Sequence, residues 1–145
     1  MKKVTVFLGG TCADSTWREE LIDKLDLERI EVFNPVVPNW TQECQARELF
    51  HRENDDICLY VITPEGMGFY SFIEVVDDSN KRPERTILCV LTDVKGKTFE
   101  GHVGKCVRKT MELVAQNGVI VFDNLDDLAL YLNSLGKKKT LSKRM

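Results

Sequence analysis

The segment "ICLYVIT", residues 57–63, decides the fold that this sequence predicts. Its first six residues are all apolar or aromatic, without the polar–apolar alternation of a strand that has one face in water. A short unbroken apolar run is typical of a strand at the centre of a parallel sheet, because helices cover both faces of such a sheet. Pro64 and Gly66 follow the run, and they are expected to end the strand.

Short apolar runs recur along the chain, and segments with helical periodicity lie between them. Ser15 and Thr41 are the expected N-caps of the first two helices, and Gly136 is the expected glycine just beyond the last helix. Trp17 and Leu21 share one face of the first helix, which favours a place in the core. Strands are predicted over residues 4–8, 30–35, 57–63, 85–92 and 118–122, and helices over residues 15–25, 41–55, 70–80, 101–117 and 124–136.

Strands that alternate with helices in this way predict an α/β protein. The expected architecture is a single doubly wound, flavodoxin/Rossmann-like domain with a five-stranded, mostly parallel sheet. The domain is expected to span residues 1–136, followed by a basic tail, residues 137–145, with five Lys or Arg. Such a tail can contact nucleic acid or lipid, but a solvated, frayed terminus is the more common explanation.

The composition argues against several classes of protein. A net charge of −3 over 145 residues does not favour nucleic acid or an anionic membrane as the partner. No apolar run approaches the roughly 18 residues that a membrane span needs. The five cysteines include no CxxC pair, so neither a zinc site nor a disulfide framework is expected. Free cysteines suit a reducing compartment, which predicts a cytoplasmic protein without a bound metal.

Ligands of doubly wound sheets bind beyond the carboxyl ends of the strands. The segment "GGTCADS", residues 9–15, follows the first strand. Its two glycines allow backbone N–H groups to approach an anion or a sugar, but they also suit a tight turn without a ligand. The segment "NPVVPNW", residues 34–40, follows the second strand. Its Trp40 can stack on a base or can pack the loop onto the domain.

Glu74 is the carboxylate of an otherwise apolar stretch that follows the central strand. The segment "GMGFYSFIEVV", residues 66–76, opens a helix there, and the N-terminal end of a helix stabilises a negative charge. That is the structural explanation of Glu74. The functional explanation is a nucleophile, because Phe69, Tyr70 and Phe72 are expected to surround the carboxylate with a medium of low dielectric constant. A carboxylate in such a site can attack a sugar carbon with oxocarbenium character.

Taken together, these segments resemble the nucleoside 2-deoxyribosyltransferase family, and especially its 2-deoxyribosyltransferase-like branch. The resemblance covers roughly the first 90 residues, and it rests on "VFLGGT", "STWR", "NPVVPNW", "DDICLYVITPEGMGFYSFIEVV" and "RTILCVL". It implies an enzyme without a cofactor that attacks C1′ of a nucleoside or nucleotide through a glutamate and expels the base. It also implies a homo-oligomer, because members of the family often complete the pocket with a neighbouring subunit.

The resemblance assigns site residues by their positions in this sequence. Glu74 corresponds to the nucleophile, and Glu48, eight residues before Asp56, corresponds to the second acid; Glu43 is the alternative. Phe7 stands where members of the family often have tyrosine. The residues expected to contact the substrate are Phe7, Gly9, Gly10, Thr11, Asn34, Trp40, Gly68, Tyr70 and Ser71.

Two differences from the family leave a second function open. Phe7 cannot donate the hydrogen bond of a tyrosine, and Glu74 lies farther from the preceding glycine than is usual in the family. A non-catalytic nucleotide-binding module of the same fold is therefore the alternative to an enzyme. A signalling domain of this fold is disfavoured, because no aspartate ends the first or third strand.

Overall fold

The computed structural model describes residues 2–12, 14–66 and 68–142, and side chains as far as Lys139. Five strands form one sheet: β1 (Val4–Gly10), β2 (Ile30–Phe33), β3 (Ile57–Ile62), β4 (Thr86–Val90) and β7 (Ile120–Phe122). The two short strands between β4 and β7 form a separate hairpin. The order across the sheet is β2-β1-β3-β4-β7, and each neighbouring pair is parallel. This confirms the predicted α/β fold with a five-stranded sheet.

Helices cover the two faces of the sheet. On one face, Trp17 and Leu21 of the first helix pack with Leu128 and Leu132 of the last against alternate side chains of the strands. On the other face, Val75 forms a second cluster with Val107 and Val114 of the fourth helix. The helices are α1 (Trp17–Lys24), α2 (Gln42–Asn54), α3 (Phe69–Lys81), α4 (Gly101–Gln116) and α5 (Leu125–Ser142).

Strand β3 lies at the centre of the sheet, as its sequence predicts. All six of its residues are buried, because both faces of the strand are covered and both edges pair with neighbouring strands. Trp17 is also confirmed as a core residue: its ring is buried, and its indole N–H donates to the carbonyl oxygen of Thr11 at 2.8 Å. The bond satisfies the polar atom that a buried tryptophan brings into the core.

One of the two predicted N-caps is confirmed. Thr41 precedes α2, and its hydroxyl accepts a hydrogen bond from the Cys44 N–H at 3.2 Å. The prediction for Ser15 is wrong by one residue, because Thr16 occupies the cap position of α1. The Ser15 hydroxyl accepts a hydrogen bond from the Trp17 N–H at 3.4 Å. It also donates to Glu65 at 2.7 Å, so it joins the loop after β1 to the loop after β3.

The predicted end of the last helix at Gly136 is wrong. Helix α5 continues to Ser142, and Gly136 is buried within it. A Cβ atom at this position would lie 3.0 Å from the Cβ of Arg29, so the glycine allows close packing of α5 rather than ending it. Lys139, in the predicted basic tail, contacts Asp56 at 2.7 Å. Residues 143–145 of that tail lie outside the described residues, and the role of the tail stays a prediction.

A small hairpin interrupts the segment between β4 and α4. Strands β5 (Asp93–Val94) and β6 (Lys97–Thr98) pair antiparallel, and Lys95 and Gly96 between them both have positive φ angles. Two such residues form the two-residue turn that suits the twist of a hairpin. No strand is predicted here from the sequence, because each strand of the hairpin has only two residues. Among the described helices, none is both long and apolar enough to cross a membrane.

Candidate active site

A cavity of about 490 Å³ opens at the carboxyl end of β1, between the segments that follow β2 and β3, where a sheet of this kind binds its ligands. Strand β1 forms its floor, and helix α2 and the first turns of α3 form its walls. All of the substrate-contacting and catalytic residues expected from the sequence line this cavity, except Thr11 and Asn34. The predicted residues that line it are Phe7, Gly9, Gly10, Trp40, Glu48, Gly68, Tyr70, Ser71 and Glu74.

Thr11 and Asn34 have other surroundings. The Thr11 hydroxyl accepts a hydrogen bond from the Thr63 N–H at 2.9 Å, and Thr11 lines a smaller neighbouring cavity of about 220 Å³. The Asn34 side-chain oxygen accepts from the Val36 N–H at 3.0 Å, which shapes its own loop. Glu43, the alternative second acid, is exposed on α2 and is not among the described residues that line the larger cavity. The binding roles of Thr11 and Asn34 stay predictions.

Glu74 lies on the second turn of α3, and its side chain is only 20% exposed. Burial raises the pKa of its carboxyl group, the positive charge of Arg52 lowers it, and the negative charges of Glu48 and Asp78 raise it further. The pKa as a whole is higher than that of an ordinary glutamate. Arg52 is the cation that opposes this rise, with its Nη1 atom 3.5 Å from Glu74 Oε2.

The partly buried surroundings of Glu74 differ from those that the sequence predicts. Phe69 and Phe72 line the smaller cavity on the other side of the α3 N-terminus, and Tyr70 is exposed at the mouth of the larger one. The expectation that Phe69 and Phe72 enclose the carboxylate is therefore wrong, whereas Tyr70 shares the larger cavity with it. Residues of β1 and α2 also line that cavity, including Phe7 and Leu49.

Glu48 projects from α2 into the same cavity. Burial raises the pKa of its carboxyl group, whereas a hydrogen bond from Trp40 and the charges of Arg52 and Arg18 lower it; the net effect is a rise. Trp40 lines the same cavity and is 58% exposed, so its indole ring is available for stacking.

Arg18 and Arg52 line the cavity, but neither is assigned a role in the sequence analysis. Arg18 is buried, and its guanidinium donates to the carbonyl oxygens of Leu8, Gly10 and Thr11. It therefore holds the end of β1 in place beneath the cavity. Burial lowers its pKa, although an arginine stays charged in a protein.

Arg52 belongs to a buried polar cluster. Its guanidinium donates to Asp78, which is fully buried on α3. Asp78 also accepts a hydrogen bond from the hydroxyl of Tyr60 on β3 and from the guanidinium of Arg82.

One signal in the sequence indicates this cluster. Glu48 and Arg52 are four residues apart on α2, and Glu74 and Asp78 are four residues apart on α3. Each pair therefore shares a helix face.

The packing around the end of β1 requires glycine at positions 9 and 10. A Cβ atom at Gly9 would lie 2.7 Å from the ring of Tyr60, and one at Gly10 would lie 2.0 Å from the carbonyl oxygen of Val61. Both distances are far shorter than a normal contact, so β1 approaches β3 as closely as it does only because side chains are absent here. The same absence leaves the floor of the cavity open.

The cavity lies wholly within the part of the chain that matches a known family. A family model described as nucleoside 2-deoxyribosyltransferase like matches residues 3–94, which is more than half of the chain. The match begins before β1 and ends with β5, so it contains every residue that lines the cavity. The search of curated proteins gives no significant match. Within the described residues, no three His, Cys, Asp or Glu side chains are grouped closely enough to hold a metal ion.

Proposed function

Because the chain belongs to the nucleoside 2-deoxyribosyltransferase-like family, we propose that it cleaves or exchanges the N-glycosidic bond of a (deoxy)nucleoside or nucleotide, with Glu74 as the nucleophile. The observation that carries this proposal is the placement of Glu74. It is a partly buried carboxylate in the cavity at the ligand-binding edge of the sheet. A second carboxylate, Glu48, lines the same cavity.

The proposed reaction has two steps. A Glu74 carboxylate oxygen forms a bond to C1′ of the sugar while the C1′–N bond to the base breaks, and the electron pair of that bond leaves with the base. In the second step another base, or a water molecule, attacks C1′ and releases the Glu74 carboxylate. A nitrogen of the incoming base, or the water, loses a proton to solvent, and this proton balances the one that the departing base takes up from solvent in the first step. The transition states carry positive charge on the sugar, which the negative charges of Glu74 and Glu48 stabilise.

The remaining residues of the cavity support binding. The exposed face of Trp40 and the ring of Tyr70 flank the cavity mouth, and both suit stacking on a planar base. Glu48 can accept hydrogen bonds from sugar hydroxyls, because an ionised carboxylate is an acceptor. Gly68 precedes the first turn of α3, and Ser71 lies in that turn. Backbone N–H groups at such a helix end can bind polar groups of the sugar or of a phosphate.

The direct test is an incubation of the protein with a panel of deoxynucleosides, deoxynucleotides and a nicotinamide dinucleotide, each with and without a second free base. Chromatography of the products separates the possible outcomes. A new nucleoside indicates a transferase, and a free base without a new nucleoside indicates a hydrolase. Binding in a calorimeter without either product would contradict catalysis and favour the non-catalytic module, which the phenylalanine at position 7 also favours.

The protein is expected to form a homo-oligomer through the surface beside the cavity mouth. Phe69, Tyr70 and Ile73 on α3 are exposed there, and a cluster of exposed apolar side chains is typical of a surface that contacts a partner. We expect light scattering at tens of micromolar protein to give a mass above that of one chain. Ile73→Asp should lower this mass, whereas Leu130→Asp should not, because the exposed Leu130 lies on α5. A wild-type protein that is strictly monomeric would contradict the expectation.

A further inference from the structure

Arg52 connects the cavity to the interior of the domain. Its side chain is only 9% exposed. Its Nη1 atom faces Glu74 at 3.5 Å, whereas its Nη2 atom contacts Asp78 at 3.1 Å and Asp77 at 3.4 Å. The shorter contacts are those on the side away from the cavity. The guanidinium is therefore anchored from the interior, and its Nη1 edge is presented to Glu74.

Asp78 is the anchor, and it is itself fixed from two further directions. Its carboxylate is fully buried on α3. The Tyr60 hydroxyl, buried on the central strand, donates to one carboxylate oxygen, and Arg82 lies 3.1 Å from the other. A guanidinium is planar and its donors have fixed directions. Asp78 binds the edge of the Arg52 guanidinium that carries Nε and Nη2. Because the group is rigid, this contact also fixes the direction of the Arg52 Nη1 atom.

We propose that Arg52 is a positioning residue for Glu74: anchored by Asp78, it keeps the Glu74 carboxylate ionised and turned into the cavity before the substrate binds. This inference rests on the proposed function only in making Glu74 the nucleophile. Asp78 is also a permanent counter-ion for Arg52. When Glu74 loses its charge on bonding to C1′, Arg52 is therefore not left as an unpaired buried cation, which would be costly.

The charges around Glu74 show why such a residue is needed. Arg52 and Glu48 face it from α2, and Asp78 lies one turn along its own helix; Arg18 on α1 acts on Glu48. Burial and the two acidic neighbours favour the protonated carboxyl group, which cannot act as a nucleophile. Among these groups, Arg52 is the one that lowers the pKa of Glu74.

The test compares Arg52→Met with Arg82→Met. Each variant removes one guanidinium that lies 3.1 Å from Asp78 Oδ1. Of these two arginines, the structure pairs Arg52 with Glu74.

Carbon-13 NMR of labelled glutamate carboxyl groups gives the pKa of Glu74, with Glu74→Gln to assign the resonance. We expect Arg52→Met to raise this pKa by about one unit or more and Arg82→Met to leave it unchanged. Both variants should lower the melting temperature. Arg52→Lys, which keeps the positive charge but not the planar guanidinium, should raise the pKa of Glu74 by less than Arg52→Met does.

An unchanged Glu74 pKa in Arg52→Met, or an equal shift in Arg82→Met, would overturn the proposal. If the methionine variants do not fold, Arg52→Lys and Arg82→Lys allow the same comparison.

The NMR measurement needs no turnover, so it tests the positioning role of Arg52 separately from the proposed function. A shift without activity on any nucleoside supports the contact between Arg52 and Glu74 but rejects Glu74 as a nucleophile, and with it the positioning role of Arg52 in catalysis. Activity with an unchanged pKa rejects the positioning role alone. In an active protein, the acid limb of the kcat/KM profile should move to higher pH in Arg52→Met.

Discussion

Replacing Glu74 with glutamine is expected to reduce base exchange or release on the order of 10³-fold or more, because the side chain would no longer be able to form an ester with C1′. Glutamine has nearly the same shape, so the fold should be retained. Since burial disfavours the charge of Glu74, the variant should melt at the same temperature as the wild type or slightly above it. Rates from product chromatography and a thermal melt of the same samples check both expectations.

The control for this variant is Glu112→Gln, which makes the same chemical change on the exposed side of α4. Its activity should stay within about twofold of wild type, because surface substitutions away from a site have small effects. Glu48→Gln should give an intermediate loss if Glu48 stabilises the sugar rather than attacking it. Activity in Glu74→Gln above a tenth of the wild-type value would show that another group is the nucleophile.

Replacing Gly10 with alanine is expected to destabilise the domain by about 4 kcal/mol or more, enough to unfold many proteins of this size. The new Cβ atom would lie 2.0 Å from the Val61 carbonyl oxygen. Val61 cannot move away, because it pairs with both β1 and β4 at the centre of the sheet. In addition, the φ angle of +124° at Gly10 is one that alanine rarely adopts.

Gly96→Ala separates the collision from the backbone strain. Gly96 also has a positive φ angle, +83°, but no described atom lies within 4 Å of a Cβ placed there. This variant should therefore lose only about 1–2 kcal/mol, the usual cost of such a conformation. Urea denaturation of the two purified variants gives the comparison. Equal free energies of unfolding would mean that β1 and β3 can separate more easily at Gly10 than the structure indicates.

The fold could be predicted from this sequence because its three inner strands, β1, β3 and β4, are buried on both faces. The unbroken apolar run of β3 needs two covering layers of helices, and those layers are what the periodic segments between the strands provide. The position of Glu74 could be predicted for the same reason, since the order of the elements places it at the ligand edge. The end of α5 could not be predicted, because the use of Gly136 depends on how closely that helix packs on Arg29.

The part of the site that the sequence did not reveal consists of charged residues on helices. Arg18 and Arg52 belong to helices with many exposed polar residues, where a charged side chain usually faces water. Their burial depends on partners outside their own helices: the carbonyl oxygens at the end of β1 for Arg18 and Asp78 for Arg52. Periodicity within one helix carries no information about such partners.

Gly68 lies between the two cavities and lines both. In contrast to Gly9 and Gly10, it has room for a side chain: the nearest described atom to a Cβ placed there is the Ser71 hydroxyl oxygen, at 3.8 Å. Its φ angle of −74° is one that any residue adopts. The fold therefore does not require glycine at this position. The absence of a side chain here serves only to enlarge the two cavities. A side chain introduced at this position would therefore change the size of both cavities without affecting the packing of the sheet.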